Sequence, residues 1–159
     1  METLDNALLV MERTVQPARG RPVAREAEPS EVGPSIAVVF NSIESTRAAI
    51  QRASTMAGSS ARISLLALQP VPFPRQLDDS PVSLAWTEDR LCEIAGDSPV
   101  ETVVRLYLCR NRLKTLQTVL QPDSMVIIGC RRRWWPTAEW RLARDLRRSG
   151  HLVILAEAE

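Results

Sequence analysis

Short apolar runs alternate with amphipathic stretches along most of this chain, and that alternation restricts the fold more than any other feature. Ile36–Phe40, Ile63–Leu68, Thr102–Cys109, Met125–Ile128 and Leu152–Ala156 are short and rich in Val, Ile and Leu, as strands buried on both faces are. Between them apolar residues recur at helical spacing: Ala49, Ile50, Ala53, Met56 and Ala57; Leu84, Leu91, Cys92 and Ala95; Leu113, Leu116 and Leu120; Leu142, Ala143 and Leu146. Caps and breakers stand at the joins. Asn41 offers an N-cap, with Glu44 three residues on to complete a capping box, and Asn111 offers another. Gly58, Gly96, Pro122 and Gly150 stop helices, and Pro136-Thr137 opens the last one, Thr137–Ser149. Pro70, Pro72 and Pro74 break regular structure, so the segment to Pro81 reads as a loop. Strands alternating with helices imply right-handed crossovers and a parallel sheet covered on both faces. Arg105 interrupts an otherwise apolar Thr102–Cys109, which predicts an edge position for that strand.

The first 34 residues read differently. Leu4, Leu8, Met11 and Val15 recur at helical spacing and predict a short amphipathic helix over residues 1–15. Residues 16–34 carry Pro, Arg, Glu, Ala and Gly without apolar periodicity, the composition of a flexible linker. The folded domain is expected over residues 35–159.

Formal net charge is +1 over 159 residues, so bulk electrostatics give no general attraction to nucleic acid or to a membrane. No apolar run approaches the ~18 residues that cross a bilayer. Glu2, Asp5 and Glu12 near the start, with no basic cluster, do not make a signal peptide, and a cytoplasmic protein is expected. Cys92, Cys109 and Cys130 are widely spaced and lack a CxxC pair, so neither a disulfide framework nor a metal site is indicated. His151 is the only histidine, and nothing places a nucleophile beside it, so no catalytic residues are assigned. The acidic pairs Asp78-Asp79 and Glu88-Asp89 read as solvated.

Chemistry concentrates in Met125–Trp140, where an apolar run ends at Gly129 and a basic, aromatic loop follows. In an open α/β sheet that loop lies at the carboxyl end of a strand, where such sheets hold ligands. Arg131, Arg132 and Arg133 suit phosphate oxygens, Trp134 and Trp135 suit stacking on a base, and the helix start at Thr137 points N–H groups the same way. The competing reading has solvated arginines and tryptophans that cover the sheet end. Trp140 falls off the apolar face of the last helix, in line with Arg144 and Arg147. That patch reads either as a partner contact or as a Trp lying against neighbouring Arg stems.

Over Ser35–Ala156 the chain resembles the universal stress protein family. The matching stretches are Ile36-Ala-Val-Val-Phe-Asn-Ser-Ile-Glu, Arg62-Ile-Ser-Leu-Leu-Ala-Leu-Gln-Pro and Asp123-Ser-Met-Val-Ile-Ile-Gly. The resemblance implies an open five-stranded parallel sheet in the order 3-2-1-4-5, Rossmann-like or flavodoxin-like, with Asn41 and Ser42 brought beside Gly129 and the Arg131–Arg133 loop. ATP-binding members carry Gly-x2-Gly-x9-Gly-Ser/Thr after the fourth strand. Here Gly129 fits the first position, Arg132 stands at the second, and no Gly-Ser or Gly-Thr follows at the right distance. Asn41 and Ser42 stand where the family has Asp and Gly. No cofactor is therefore expected, and ATP or AMP would need a site rebuilt from the Arg-Trp loop. Pairing through the last strand, as family members do, would make a homodimer using Leu152, Val153 and Leu155. The leading expectation is a non-catalytic regulatory interaction module of the stress-response type with a protein partner still to be identified. The alternative is a nucleotide- or phosphate-binding domain.

Overall fold

The computed structural model describes residues 3–4, 7–16, 35–57, 62–76, 83–122, 124–131 and 137–158. Among them, strands β1 (Thr3–Leu4), β2 (Ala7–Val15), β3 (Ser35–Val39), β4 (Arg62–Pro70), β5 (Thr102–Cys109), β6 (Met125–Arg131) and β7 (Leu152–Ala158) form one sheet. Its order is β1-β2-β5-β4-β3-β6-β7. Helices α1 (Ile43–Ala57), α2 (Leu84–Gly96), α3 (Arg112–Val119) and α4 (Ala138–Arg148) supply the crossovers. Neighbours from β5 through β4, β3 and β6 to β7 are parallel. β1 and β2 add to one edge in antiparallel fashion. The sheet is thus mixed and longer than the all-parallel five-stranded sheet expected, although its parallel strands keep the relative order 3-2-1-4-5.

Strand alternation divides the core in two. Ile36 and Val38 of β3, Ile63 and Leu65 of β4, and Ile127 of β6 pack with Ala49, Ile50 and Ala53 of α1 and Leu91, Ile94 and Ala95 of α2. The intervening residues, Ala37 and Val39, Leu66 and Leu68, Val126 and Ile128, face Leu116 of α3 and Ala143 and Leu146 of α4. Successive side chains of a strand point to opposite faces, so a strand covered on both sides must be apolar throughout.

The N-terminal segment is the main correction. Ala7–Val15 is a strand paired with β5, not the helix its spacing predicts. A register shift between Leu9 and Met11 explains the misleading periodicity. Leu8 and Val10 pack toward Val71 and Leu84, and after the shift Met11 and Val15 join the core on the same side of the sheet as α2. A strand with one inserted residue therefore places apolar groups at a spacing that imitates a helical face. The same pairing takes β5 away from the edge. Arg105 is accommodated because Glu12 of β2 lies opposite it, with Nε 3.2 Å from the carboxylate. The domain accordingly draws on residues before Ser35. Of the linker reading, residues 17–34 lie outside the described residues.

Candidate functional site

Parallel strands leave a crevice at their carboxyl ends where the chain order reverses, here between β3 and β6. A cleft of about 710 Å³ opens there. Phe40, Asn41 and Ser42 after β3, Ala67–Pro70 of β4 and Arg131 of β6 form its floor. Trp86, Thr87 and Arg90 of α2, Arg112 of α3 and Thr137–Glu139 at the start of α4 form its walls.

The join between β3 and β6 is built from a polar tie and a close contact. The Asn41 side chain donates to the Gly129 carbonyl, and its own carbonyl accepts from Ser42 N–H at 2.8 Å and from the Thr46 hydroxyl at 3.3 Å. Ser42, not Asn41, caps α1: its Oγ accepts from Ser45 N–H at 3.2 Å. Glu44 does not complete a capping box and instead meets Arg131 at 2.8 Å. A Cβ on Gly129 would lie 1.9 Å from the Ser45 carbonyl oxygen, so the glycine is what lets the first turn of α1 rest on β6. The residue that resembles the first glycine of a phosphate loop is here taken up by backbone packing.

Of the residues singled out for a ligand, Asn41, Ser42, Arg131 and Thr137 line one cleft, and Gly129 lies beneath it. Thr137 caps α4, accepting from Trp140 N–H at 3.3 Å. Arg132, Arg133, Trp134 and Trp135 lie outside the described residues. The residues taken for an interface diverge. Trp140 is 41% exposed, with the Arg144 guanidinium 5.5 Å from its ring centre. Arg147 donates to the Val153 carbonyl at 2.9 and 3.3 Å and ties α4 to β7. Leu152 is exposed on the terminal strand, whereas Val153 is buried and Leu155 half-buried against the α4 side of the core. His151 is buried, its Nδ1 3.3 Å from the Ser124 hydroxyl. Glu88 pairs with Arg13 of β2 at 2.5 Å. Asp78 and Asp79 fall outside the described residues.

Sequence reasoning missed Trp86, Arg90 and Arg112. Arg112 had a usable signal, since it follows Asn111 directly at the carboxyl end of a strand. Its Nε is withdrawn from water and meets no acceptor among the described residues. Arg90 lies over the Trp86 ring at 5.4 Å and reaches Glu93 at 3.4 Å. Burial pushes the thiols of Cys92, Cys109 and Cys130 above their ordinary range, most strongly through desolvation in each case, which keeps them protonated and weakly nucleophilic. Among the described residues no group of three or more His, Cys, Asp or Glu side chains could hold a metal ion. No helix among them is long and apolar enough to cross a membrane.

Compared with family models, with curated proteins and with solved structures, the chain matches none.

Proposed function

We propose that this chain is a non-catalytic regulatory binding domain of the universal stress protein type that takes an anionic small molecule, a nucleotide or another phosphate ligand, in the cleft at the carboxyl ends of β3, β4 and β6. The observation that carries the reading is Arg112. Arg112 lines the cleft and meets no carboxylate among the described residues, so an oxyanion held there would find a cation free to take it. The cleft is also of a size suited to small ligands. Binding is favoured over turnover because the described lining offers one carboxylate, Glu139, and neither imidazole nor thiol. A thermal-shift panel of nucleotides and simple phosphates, at fixed salt, tests the reading. A saturable rise of several degrees in wild type that disappears in Arg112→Leu is expected. No rise with any ligand overturns it.

Leu152 favours a second reading. It is 56% exposed on β7, the open end of the sheet, where unpaired backbone invites another strand. An interaction module that pairs along β7 with a second copy of the chain would cover it.

A further inference from the structure

We infer that Arg147 is a built-in cap on the open edge of the sheet: it holds a carbonyl that an incoming strand needs, so β7 takes a second copy of this chain along its full length only when Arg147 lets go. This goes beyond the cleft reading and holds whether or not the wild-type chain pairs along β7.

Register decides which main-chain groups of β7 are free. In a parallel ladder the N–H and C=O of one residue point to the same neighbouring strand, and successive residues alternate between neighbours. Phe40 N–H donates to the Leu66 carbonyl at 2.8 Å, so Val38 and Phe40 turn toward β4, and Ala37 and Val39 turn toward β6. Val39 lies opposite Ile128, so Ile127 and Gly129 face β3 while Val126 and Ile128 face β7. The Asn41 amide on the Gly129 carbonyl agrees with that assignment. Val126 lies opposite Val153, which puts Leu152, Ile154 and Ala156 in the ladder with β6. Val153, Leu155 and Glu157 therefore direct their N–H and C=O outward, on the last strand of the sheet.

One of those outward groups is already taken. Arg147, in the last turn of α4, donates to the Val153 carbonyl through Nη2 at 2.9 Å and Nε at 3.3 Å. Neighbouring strands lie about 4.8 Å apart, so a guanidinium at hydrogen-bond distance from an edge carbonyl stands where the next strand would run. A charged side chain over an edge guards it against strand addition.

Self-pairing makes the conflict specific. Two copies of β7 related by a two-fold axis pair antiparallel, and centring the pair on Leu155 uses all three outward residues. Val153 then meets Glu157 of the second copy, whose N–H must donate to the Val153 carbonyl. That is the carbonyl Arg147 holds, and the two-fold axis repeats the conflict at the other end.

Sedimentation velocity over a concentration series tests this by comparing wild type with Arg147→Ala, Arg148→Ala and the double variant Arg147→Ala/Glu157→Pro. Arg147→Ala should dimerise about tenfold or more tightly than wild type, because neither copy then gives up a charge-assisted bond. Arg148→Ala removes the same charge from the exposed neighbouring residue and should associate as wild type does. Glu157 is exposed and its N–H points outward, so a proline there spares the β6 ladder, denies the incoming bond and should cancel the gain. A wild type that stays monomeric while Arg147→Ala dimerises removes the β7 reading for the native chain and leaves the cap standing. Arg147→Ala associating no more than wild type overturns the cap. An equal gain in Arg148→Ala overturns it by assigning the effect to charge, and a double variant that associates like Arg147→Ala overturns it by placing the contact away from β7. Should Arg147→Ala fail to fold, Arg147→Lys, which keeps the charge without the fork, should show a smaller gain of the same sign, and no gain there overturns the cap.

Discussion

Gly129 shows how one side chain, or its lack, fixes the geometry of the cleft. A methyl group there would meet the Ser45 carbonyl at 1.9 Å and the carbonyl carbon at 2.3 Å, and both are backbone, so α1 as a whole would have to lift from β6. Gly129→Ala is expected to cost about 3 kcal/mol, the upper part of the usual overpacking range. Urea unfolding would report this as a lower midpoint at unchanged slope. Asn41 acts by hydrogen bonding rather than by volume. Its amide donates to the Gly129 carbonyl, and Asn41→Asp replaces that donor with a carboxylate oxygen facing another oxygen. A loss of about 1–3 kcal/mol near neutral pH follows from the unmet carbonyl and the repulsion, read from the same denaturation curves. The buried thiols set an alkaline limit. The folded chain holds Cys109 neutral by desolvation, so the unfolded chain gives up its proton first. Stability is at its full value below about pH 9 and falls as pH rises above it, the ordinary thiol value being 9.0. Cys109→Ala should flatten that decline, and an unchanged slope in the variant would assign it elsewhere.

β2 has consequences beyond covering an edge. It pairs along the whole of β5 and buries Ala7, Leu8 and Met11. It also braces the cleft wall: Leu8 and Val10 pack with Val71 and Leu84, and Arg13 meets Glu88 on α2. Removing residues 1–16 would leave the long, apolar β5 as an open edge. The truncated chain should scatter light on standing, unfold at lower urea and bind the cleft ligand more weakly. Leu8→Asp should show the loss of stability with the edge still paired. If truncation leaves affinity untouched, α2 does not depend on the arm. The exposed Glu12–Arg105 pair contributes little beside this apolar contact, since such pairs are worth about 1 kcal/mol at most. The arm was also where pattern failed most. Helical and bulged-strand spacings of apolar residues coincide over one short segment, and only the partner strand distinguishes them. Arg105 misled for the same reason, because the acid that accommodates it is 93 residues away in the chain.

The whole molecule ends in two unlike edges, one closed by the N-terminal arm and the other formed by β7. Pairing along β7 would depend on Leu152, the exposed apolar side chain there, and not on Val153, which belongs to the core at 3% exposure. Sedimentation velocity across a concentration series should give a dimer that Leu152→Lys dissociates, and a monomer mass at every concentration would sink the β7 reading. A charge at Val153 would instead unpack β7 from α4.

The alternation of apolar runs and helical faces, with the caps at Asn111 and Thr137 and the turn at Gly150, was enough by itself to determine a parallel core with helices on both faces, because burying a strand on two sides demands a continuous apolar run wherever it sits. It also located the carboxyl end of β6 as part of the cleft. Which residues complete that cleft was decided only by tertiary structure. Trp86 and Arg90 come from one crossover and Arg112 from another, and their nearness depends on strand order, which no local pattern encodes. The same holds for charge: Arg131 looks like a free phosphate ligand in the sequence, and only the packing of α1 on β6 brings Glu44 to neutralise it and leaves Arg112 as the cation without a partner among the described residues.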